Sequence, residues 1–298
     1  MKITNITPFP IRIPNESDDG RKINTKNLNT AMLANKDLPE KNYEKQESKK
    51  QNKDKKRHLD AKALGTYDSE IKDMGIYYVD EGSNTSIYSK FHENTVVKIE
   101  TDSGITGWGE AQSPVSPNTT ATIITDIVTP LTIGKNIFDV EAIWHKNYSA
   151  KRERGHYTGF YIDAICGVDI AIWDAIGKAL NMPTCQSMGG IHRKKVPLYN
   201  GIGGTHPEEV ADQAEWSVGK GYKFLKMHLK EDLETTVEIA AKVRERVGDS
   251  IGIMADVHMG FDTFNAIKLG KELEKLNLLC LESQSDPIDI NGTVTYTH

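Results

Sequence analysis

The stretch FLKMHL at residues 224–229 alternates in character, and its reading decides what the second half of the chain can be. In an extended chain, residues two apart share a face. Leu225, Met227 and Leu229 then form one apolar face, while Phe224, Lys226 and His228 form the other. An amine and an imidazole on one side of a buried strand need company from neighbouring strands, and two later stretches supply it. In IGIMADVH (251–258), Ile253, Ala255 and Val257 face one way and Met254, Asp256 and His258 the other. In LLCLE (278–282), Leu279 and Leu281 oppose Leu278, Cys280 and Glu282.

Helical patterns separate these strands. VPLYNGIG (196–203) reads as a strand, and THPEEVADQAEWSVGKG (205–221) as a helix with Thr205 as N-cap, Pro207 in the first turn and Glu208 closing a capping box. LETTVEIAAKVRERVG (233–248) carries Ile239, Val243 and Val247 on one side, and FDTFNAIKLGKELEKLN (261–277) is a helix opened by Asp262. Strand and helix alternating through short loops predict right-handed βα units and a parallel sheet, closed into a barrel or doubly wound. Neither a G-x-G-x-x-G nor a G-x-x-x-x-G-K-[ST] pattern occurs, which counts against nucleotide binding.

In a parallel barrel the C-terminal strand ends form the mouth where active sites assemble. Lys226, His228, Asp256 and Glu282 would converge there. Aligned carboxylates suit a hard divalent cation such as Mg²⁺, and a desolvated lysine beside it can act as a base or carboxylate clamp. Each residue taken singly has an ordinary explanation. A strand-end Asp or Glu usually caps a helix, a strand-end Lys usually snorkels, and a lone His is usually a satisfied histidine. Their coincidence on one side of consecutive strands favours a functional rim.

Composition frames this. A chain of 298 residues, 38% hydrophobic and 27% charged, predicts one large or two unequal domains diluted by a polar segment. That segment spans roughly residues 16–89 and includes KNYEKQESKKQNKDKKRHLDAK (41–62); it predicts a solvated or disordered insertion. A net charge of −5 argues against a nucleic-acid groove. There is no membrane-spanning run and no signal-peptide core at the N-terminus. Cys166, Cys185 and Cys280 are scattered without metal spacing, so a reduced, cytoplasmic protein is expected. Before the βα region, residues 2–13 and NTVVKIETDSGITGWGEA (94–111) read as strands. Helical stretches follow around 119–129 and 139–151, and YIDAICGVDIAIWDAIGKALNMP (161–183) reads as a buried helix stopping near Asn181.

Two of these segments carry a resemblance. VVKIETDSGITGWGEA (96–111) is similar to strands of the capping domain of the enolase superfamily, mandelate racemase/muconate lactonizing enzyme group. DAICGVDIAIWDAIGKALNMPTCQSMGG (163–190) resembles that group's most recognisable helix and turn. The similarity runs through residues 1–15 and 92–298. It implies an α+β cap over the mouth of a (β/α)7β barrel: residues 1–135 as the cap, 136–195 as a helical connection packing cap to barrel, and 196–298 as the first half of the barrel. The insertion falls in the cap loop that helps select substrate in this family.

The resemblance also implies chemistry. Lys226 and His228 occupy the family's K-x-K motif, the first position helping neutralise a substrate carboxylate and the second transferring a proton. Asp256 matches the first metal ligand and Glu282 the second, with one Mg²⁺ as cofactor. His258 stands where Asn is usual, ESQ at 282–284 replaces E-E-P or E-Q-P, and His258 and Asn200 are possible substrate-contacting or supporting residues. The K-x-H form resembles acid-sugar dehydratases. The implied reaction removes the α-proton of a sugar-acid carboxylate and eliminates the β-hydroxyl. The alternatives are a racemase, epimerase or cycloisomerase, or a non-catalytic subunit. The sequence given stops at His298, soon after the fourth strand, without a counterpart for the third metal ligand. The expectation is an incomplete barrel with little activity alone, or one that a complementing chain completes, in a family whose full-length members form homo-oligomers.

Overall fold

β1 (Ile3–Pro14) opens a computed structural model that describes residues 1–14, 75–80, 86–229 and 232–286. The described residues separate into two units, one reaching Lys195 (residues 79, 80 and 86 aside) and one starting at Val196. In the first, a short hairpin of β2 (Tyr77–Asp80) and β3 (Ser86–Ser89) precedes β4 (Phe91–Thr101) and β5 (Thr106–Ala111). β1, β4 and β5 form an antiparallel sheet in that order. Strict alternation along β4 puts Thr95, Val97, Ile99 and Thr101 inward. Gly104, at φ +82°, turns the chain from β4 into β5, a backbone region open to glycine at little cost.

Part of the insertion expected from composition is strand. β2 and β3 lie inside residues 16–89, and aromatic contacts account for them: Tyr78 is buried and stacks on Tyr88 at 5.6 Å. The Tyr77 hydroxyl accepts a hydrogen bond from Ser116 N at 3.0 Å. Residues 16–74 and 81–85 of that expected insertion lie outside the described residues.

Helices cover one face of this sheet. α1 (Pro117–Ile123) runs through a π turn (Ile124–Val128) into α2 (Thr129–Thr132), and α3 (Val140–Arg152) and α4 (Phe160–Ala179) follow, with α5 (Thr184–Ser187) after them. α4 lies almost on the backbone of β5. A Cβ at Gly109 would overlap the Gly167 carbonyl, and one at Gly107 the Ala171 carbonyl. Glycines on the strand and Gly167, Ala171 and Ala175 on the helix therefore set this close approach. Ile3, Val97, Ile99, Ile165, Val168 and Ile172 fill the core beneath.

The second unit repeats one motif: β6 (Tyr199–Gly203), α6 (Pro207–Gly219), β7 (Phe224–His228), α7 (Leu233–Val247), β8 (Gly252–Asp256), α8 (Thr263–Glu274) and β9 (Cys280–Glu282). The strands are parallel and in sequential order. That order lacks the reversal of a doubly wound sheet and is the order of a βα-barrel wall. The rows Leu225/Met227/Leu229 and Ile253/Ala255/Val257 are buried in one core with Val210, Ala214, Ile239, Val243 and Leu269 of the helices. Each of these twelve-to-fifteen-residue helices buries one apolar stripe, as an amphipathic helix against a sheet must.

Caps set where the helices start. Asp232 accepts from Thr235 N at 3.0 Å and Asp262 from Asn265 N at 2.8 Å. α6 departs from expectation: its N-cap is the extended His206, not Thr205, and no side chain caps it. Pro207 already removes one N–H that would otherwise need a partner. At the opposite strand ends, buried Arg244 donates to the carbonyls of Gly248 and Ile251 (both 2.8 Å), Leu276 and Asn277 (both 2.9 Å), tying two loops to α7. Among the described residues no helix is long and apolar enough to cross a membrane.

Candidate functional site

The parallel register decides which side chains meet. Gly201 stands opposite Lys226, His228 opposite Asp256, and Asp256 opposite Glu282. Because the odd-numbered row of β7 is spent on the core, Lys226 and His228 face away from the helices, and the even residues of β8 and β9 join them. Asp256 and Glu282 end their strands, so the charged groups gather at one C-terminal rim.

Lys226 is the centre of that cluster. Its side chain is 11% exposed, and its ammonium lies 3.0 Å from Asp256 Oδ2 and 2.8 Å from Glu282 Oε2. Burial alone would lower the lysine pKa; the hydrogen bonds to Glu282 and Asp256 outweigh it and push the pKa up, so the amine is charged. Burial likewise opposes ionisation of Asp256, but the Lys226 hydrogen bond and the His258 N–H, 3.1 Å from Oδ1, hold its carboxyl below the usual range. The Tyr199 ring, exposed on β6, stands with its centroid 6.0 Å from Lys226 Nζ. Tyr199 was not singled out from sequence, although it shares the alternating face of Gly201 and Gly203.

Two imidazoles border the carboxylate of Asp256. His228 Nδ1 is 3.8 Å from Oδ2 and His258 Nδ1 is 3.5 Å from Oδ1, and the rings stack at 5.5 Å with an interplanar angle of 19°. Burial, then the charges of His258 and Lys226, lower the His228 pKa, which favours the neutral, proton-accepting ring. His258 arrives by a route that alternation does not describe. β8 ends at Asp256, and left-handed backbone at His258 (φ +50°) and Met259 (φ +59°) turns the chain back, while Met259 N donates to the Ser283 carbonyl.

The structure thus brings Lys226, His228, Asp256, His258 and Glu282 together. It does not bring Asn200 to them. Asn200 pairs with Leu225, on the helix-facing side, and donates to Ser217 Oγ of α6 at 2.8 Å. The expectation of a substrate-contacting Asn200 is corrected by that register: even numbering on β6 points into the helix layer, not the rim.

The donor set fits a small hard cation. Two carboxylates on adjacent strands already hold a positive charge between them, supplied by Lys226, and oxygen donors are what Mg²⁺ or a similar ion takes. Glu282, with its side chain about half exposed, remains reachable from solvent.

Comparison with known proteins bears on both units. Residues 83–189 match the N-terminal domain model of mandelate racemase/muconate lactonizing enzymes, and residues 209–295 the enolase C-terminal domain-like model. A D-galactonate dehydratase of Pectobacterium atrosepticum is 34% identical over 197 residues, covering 62% of this chain and 50% of that protein. The chain therefore spans about half the length of that curated relative. A crystal structure from Sinorhizobium meliloti, provisionally described as an isomerase, aligns with a TM-score of 0.77 at 26% identity over 99% of this chain and 65% of that one. The N-succinyl Arg/Lys racemase of Bacillus cereus aligns with a TM-score of 0.69 at 25% identity over 100% of this chain and 63% of that one. With an antiparallel sheet and helices in the first unit, a sequential parallel βα array in the second, and a matching model on each, the chain belongs to the mandelate racemase/muconate lactonizing enzyme group of the enolase superfamily.

Proposed function

We propose that this protein is a Mg²⁺-dependent hydro-lyase that takes the α-proton from a sugar-acid carboxylate and eliminates the β-hydroxyl, in the manner of a galactonate-type dehydratase. The observation that carries the reading is the Lys226 ammonium bridging Asp256 and Glu282 at one rim, with His228 against the same carboxylate. The resemblance to a D-galactonate dehydratase supports the substrate class.

Members of this superfamily typically bind a divalent metal, and here Asp256 and Glu282 would hold it. When bound, such an ion supplies Lewis-acid stabilisation of negative charge on the substrate carboxylate. The chain's own residues do the rest. An α-proton beside a carboxylate is very weakly acidic, so its removal needs fixed positive charge nearby in a water-poor site. Lys226, charged and nearly buried, is placed to supply it. His228, held neutral by burial, accepts the proton at an imidazole nitrogen. His258, stacked on His228, offers a second imidazole to protonate the departing hydroxyl. The enol that results rearranges to a 2-keto-3-deoxy acid.

A second reading, racemisation or epimerisation, is favoured by the match to the N-succinyl Arg/Lys racemase. One experiment separates them. The purified protein is incubated with Mg²⁺ and D-galactonate, then a panel of sugar acids, in D₂O. Keto-acid product that disappears in His228→Asn and Glu282→Gln supports the lyase. Deuterium at the α-carbon without keto product supports the racemase. Neither product nor exchange across the panel overturns both and leaves a non-catalytic binding subunit.

A further inference from the structure

The rim carries a second set of donors with a different metal preference. One ring nitrogen each of His228 and His258 and a carboxylate oxygen of Asp256 lie within 4.8 Å of one another. In a tetrahedral site with bonds of about 2.0–2.1 Å, ligand atoms stand about 3.3 Å apart. His228 Nδ1 stands 3.8 Å from Asp256 Oδ2 and His258 Nδ1 3.5 Å from the other oxygen, Oδ1, so the two imidazoles flank one carboxylate at close to that spacing. Both rings are about one-third exposed, which leaves them room to rotate onto a shared ion. The left-handed turn at His258 and Met259 is what folds the second ring over the first. A backbone conformation that non-glycine residues rarely adopt, kept beside a cluster of donors, is the kind of outlier that marks a functional position.

Two imidazoles and one carboxylate do not suit the ion that two carboxylates suit. Imidazole donors favour Zn²⁺, Ni²⁺, Co²⁺ or Cu²⁺, whereas carboxylate and water donors favour Mg²⁺. We propose that His228, His258 and Asp256 form a binding site for a first-row transition-metal ion such as Zn²⁺, sharing Asp256 with the Asp256–Glu282 pair. An ion there would occupy the lone pair with which His228 accepts a proton. Binding at this site and proton transfer by His228 therefore exclude one another, and Zn²⁺ is an inhibitor at the same rim where Mg²⁺ is a cofactor. The inhibitory consequence rests on the proposed lyase or racemase chemistry; the site itself does not, and a binding measurement tests it separately.

Co²⁺ serves as the probe, because its visible absorption reports ligand type and geometry. The purified full chain, freed of metal, is titrated with Co²⁺ and then challenged with Zn²⁺ or excess Mg²⁺. The expected result is one equivalent bound with intense bands, displaced by Zn²⁺ and resistant to Mg²⁺. His228→Ala and His258→Ala should each weaken binding by more than the roughly 10–100-fold that loss of a ligand's supporting partner costs. Glu282→Gln should leave it within a few-fold. Unchanged affinity in both histidine variants, ready displacement by Mg²⁺, or loss of binding in Glu282→Gln overturns the assignment. Should a histidine variant fold poorly, the unaltered chain decides: among its nine histidines, Zn²⁺ must shift the ring ¹⁵N resonances of His228 and His258. Shifts confined to other histidines, or none, refute it.

Discussion

Replacing Lys226 with methionine keeps an unbranched apolar stem as far as Cε and removes the ammonium that bridges the rim carboxylates. The magnitude follows from what each partner loses. Asp256 is 9% exposed at its side chain and would keep the His258 N–H but lose its ammonium partner, and breaking a buried ion pair in this way costs about 3–5 kcal/mol. Glu282 is 53% exposed, water replaces its partner, and a pair of that kind is worth at most about 1 kcal/mol. Urea unfolding in the presence of chelator, with far-UV circular dichroism, would be measured for Lys226→Met alone and combined with Asp256→Asn or Glu282→Gln. Double-mutant cycles should give a coupling of about 2–3 kcal/mol to Asp256 and under about 1 kcal/mol to Glu282. The pH dependence has a fixed sign. Asp256 has a folded pKa below its unfolded value, so its contribution is present above the ordinary carboxylate range and is lost as pH falls through the folded pKa. The penalty in Lys226→Met must therefore shrink on acidification. Equal couplings to the two carboxylates, or a penalty that grows at low pH, would refute the view that the Lys226–Asp256 contact dominates.

Three other perturbations probe different links. Gly109→Ala puts a Cβ onto the Gly167 carbonyl and the Ala171 amide, so α4 must move off the sheet; a loss of about 3 kcal/mol or more is expected by denaturation, and a loss under about 1 kcal/mol would show that the contact yields easily. Arg244→Met removes four charge-assisted bonds to loop carbonyls and should cost about 3–5 kcal/mol, with faster amide exchange in the loops after α7 and α8; unchanged exchange there would count against the tie. Burial, with the charge of Glu141, pushes the Asp169 carboxyl up to about 6, so ionising it opposes folding: the penalty is absent below the unfolded pKa and grows as pH rises to about 6. Asp169→Asn should raise the melting temperature at pH 7.5 and leave it nearly unchanged at pH 4, and an equal shift at both pH values would defeat that account.

The second unit was readable because period-two alternation and helical stripes recur with little interruption. Leu225, Met227 and Leu229 could face only one layer once Ile253, Ala255 and Val257 were aligned beside them. Asn200 escaped this logic because VPLYNGIG has too few apolar side chains to show its parity; only the register with Leu225 reveals it. The hairpin of β2 and β3 was hidden by composition, since a few tyrosines anchor it within an otherwise polar stretch. Arg244 gave no signal in sequence. It sits next to Val243 on a helix of which only Ile239, Val243 and Val247 stand out as a stripe, and its four carbonyl partners come from loops whose meeting point no local pattern encodes. His258 was placed on the rim by extrapolating an extended strand, yet a left-handed turn is what puts its ring on His228.

The rim's charge explains why one lysine should lie between two acids in a protein proposed to use a divalent cation. Leaving the imidazoles aside, Asp256 and Glu282 contribute −2 and Lys226 +1, a balance of −1. A divalent ion and a monocarboxylate substrate together bring +1, which would neutralise the site. Without Lys226 the same pair of ligands would leave a balance of −1 after loading, and the negative charge that develops on the substrate would meet no compensation. With a second lysine the rim would hold the ion weakly. In the structure the ammonium lies on the carboxylate oxygens themselves, so a cation reaching both must compete with it. Lys226→Met should then strengthen Mg²⁺ binding to the rim while abolishing any proton abstraction. If calorimetry instead found Mg²⁺ affinity lowered in that variant, the lysine would be acting as a structural support for the ligands and not as a counter-charge exchanged between them and substrate.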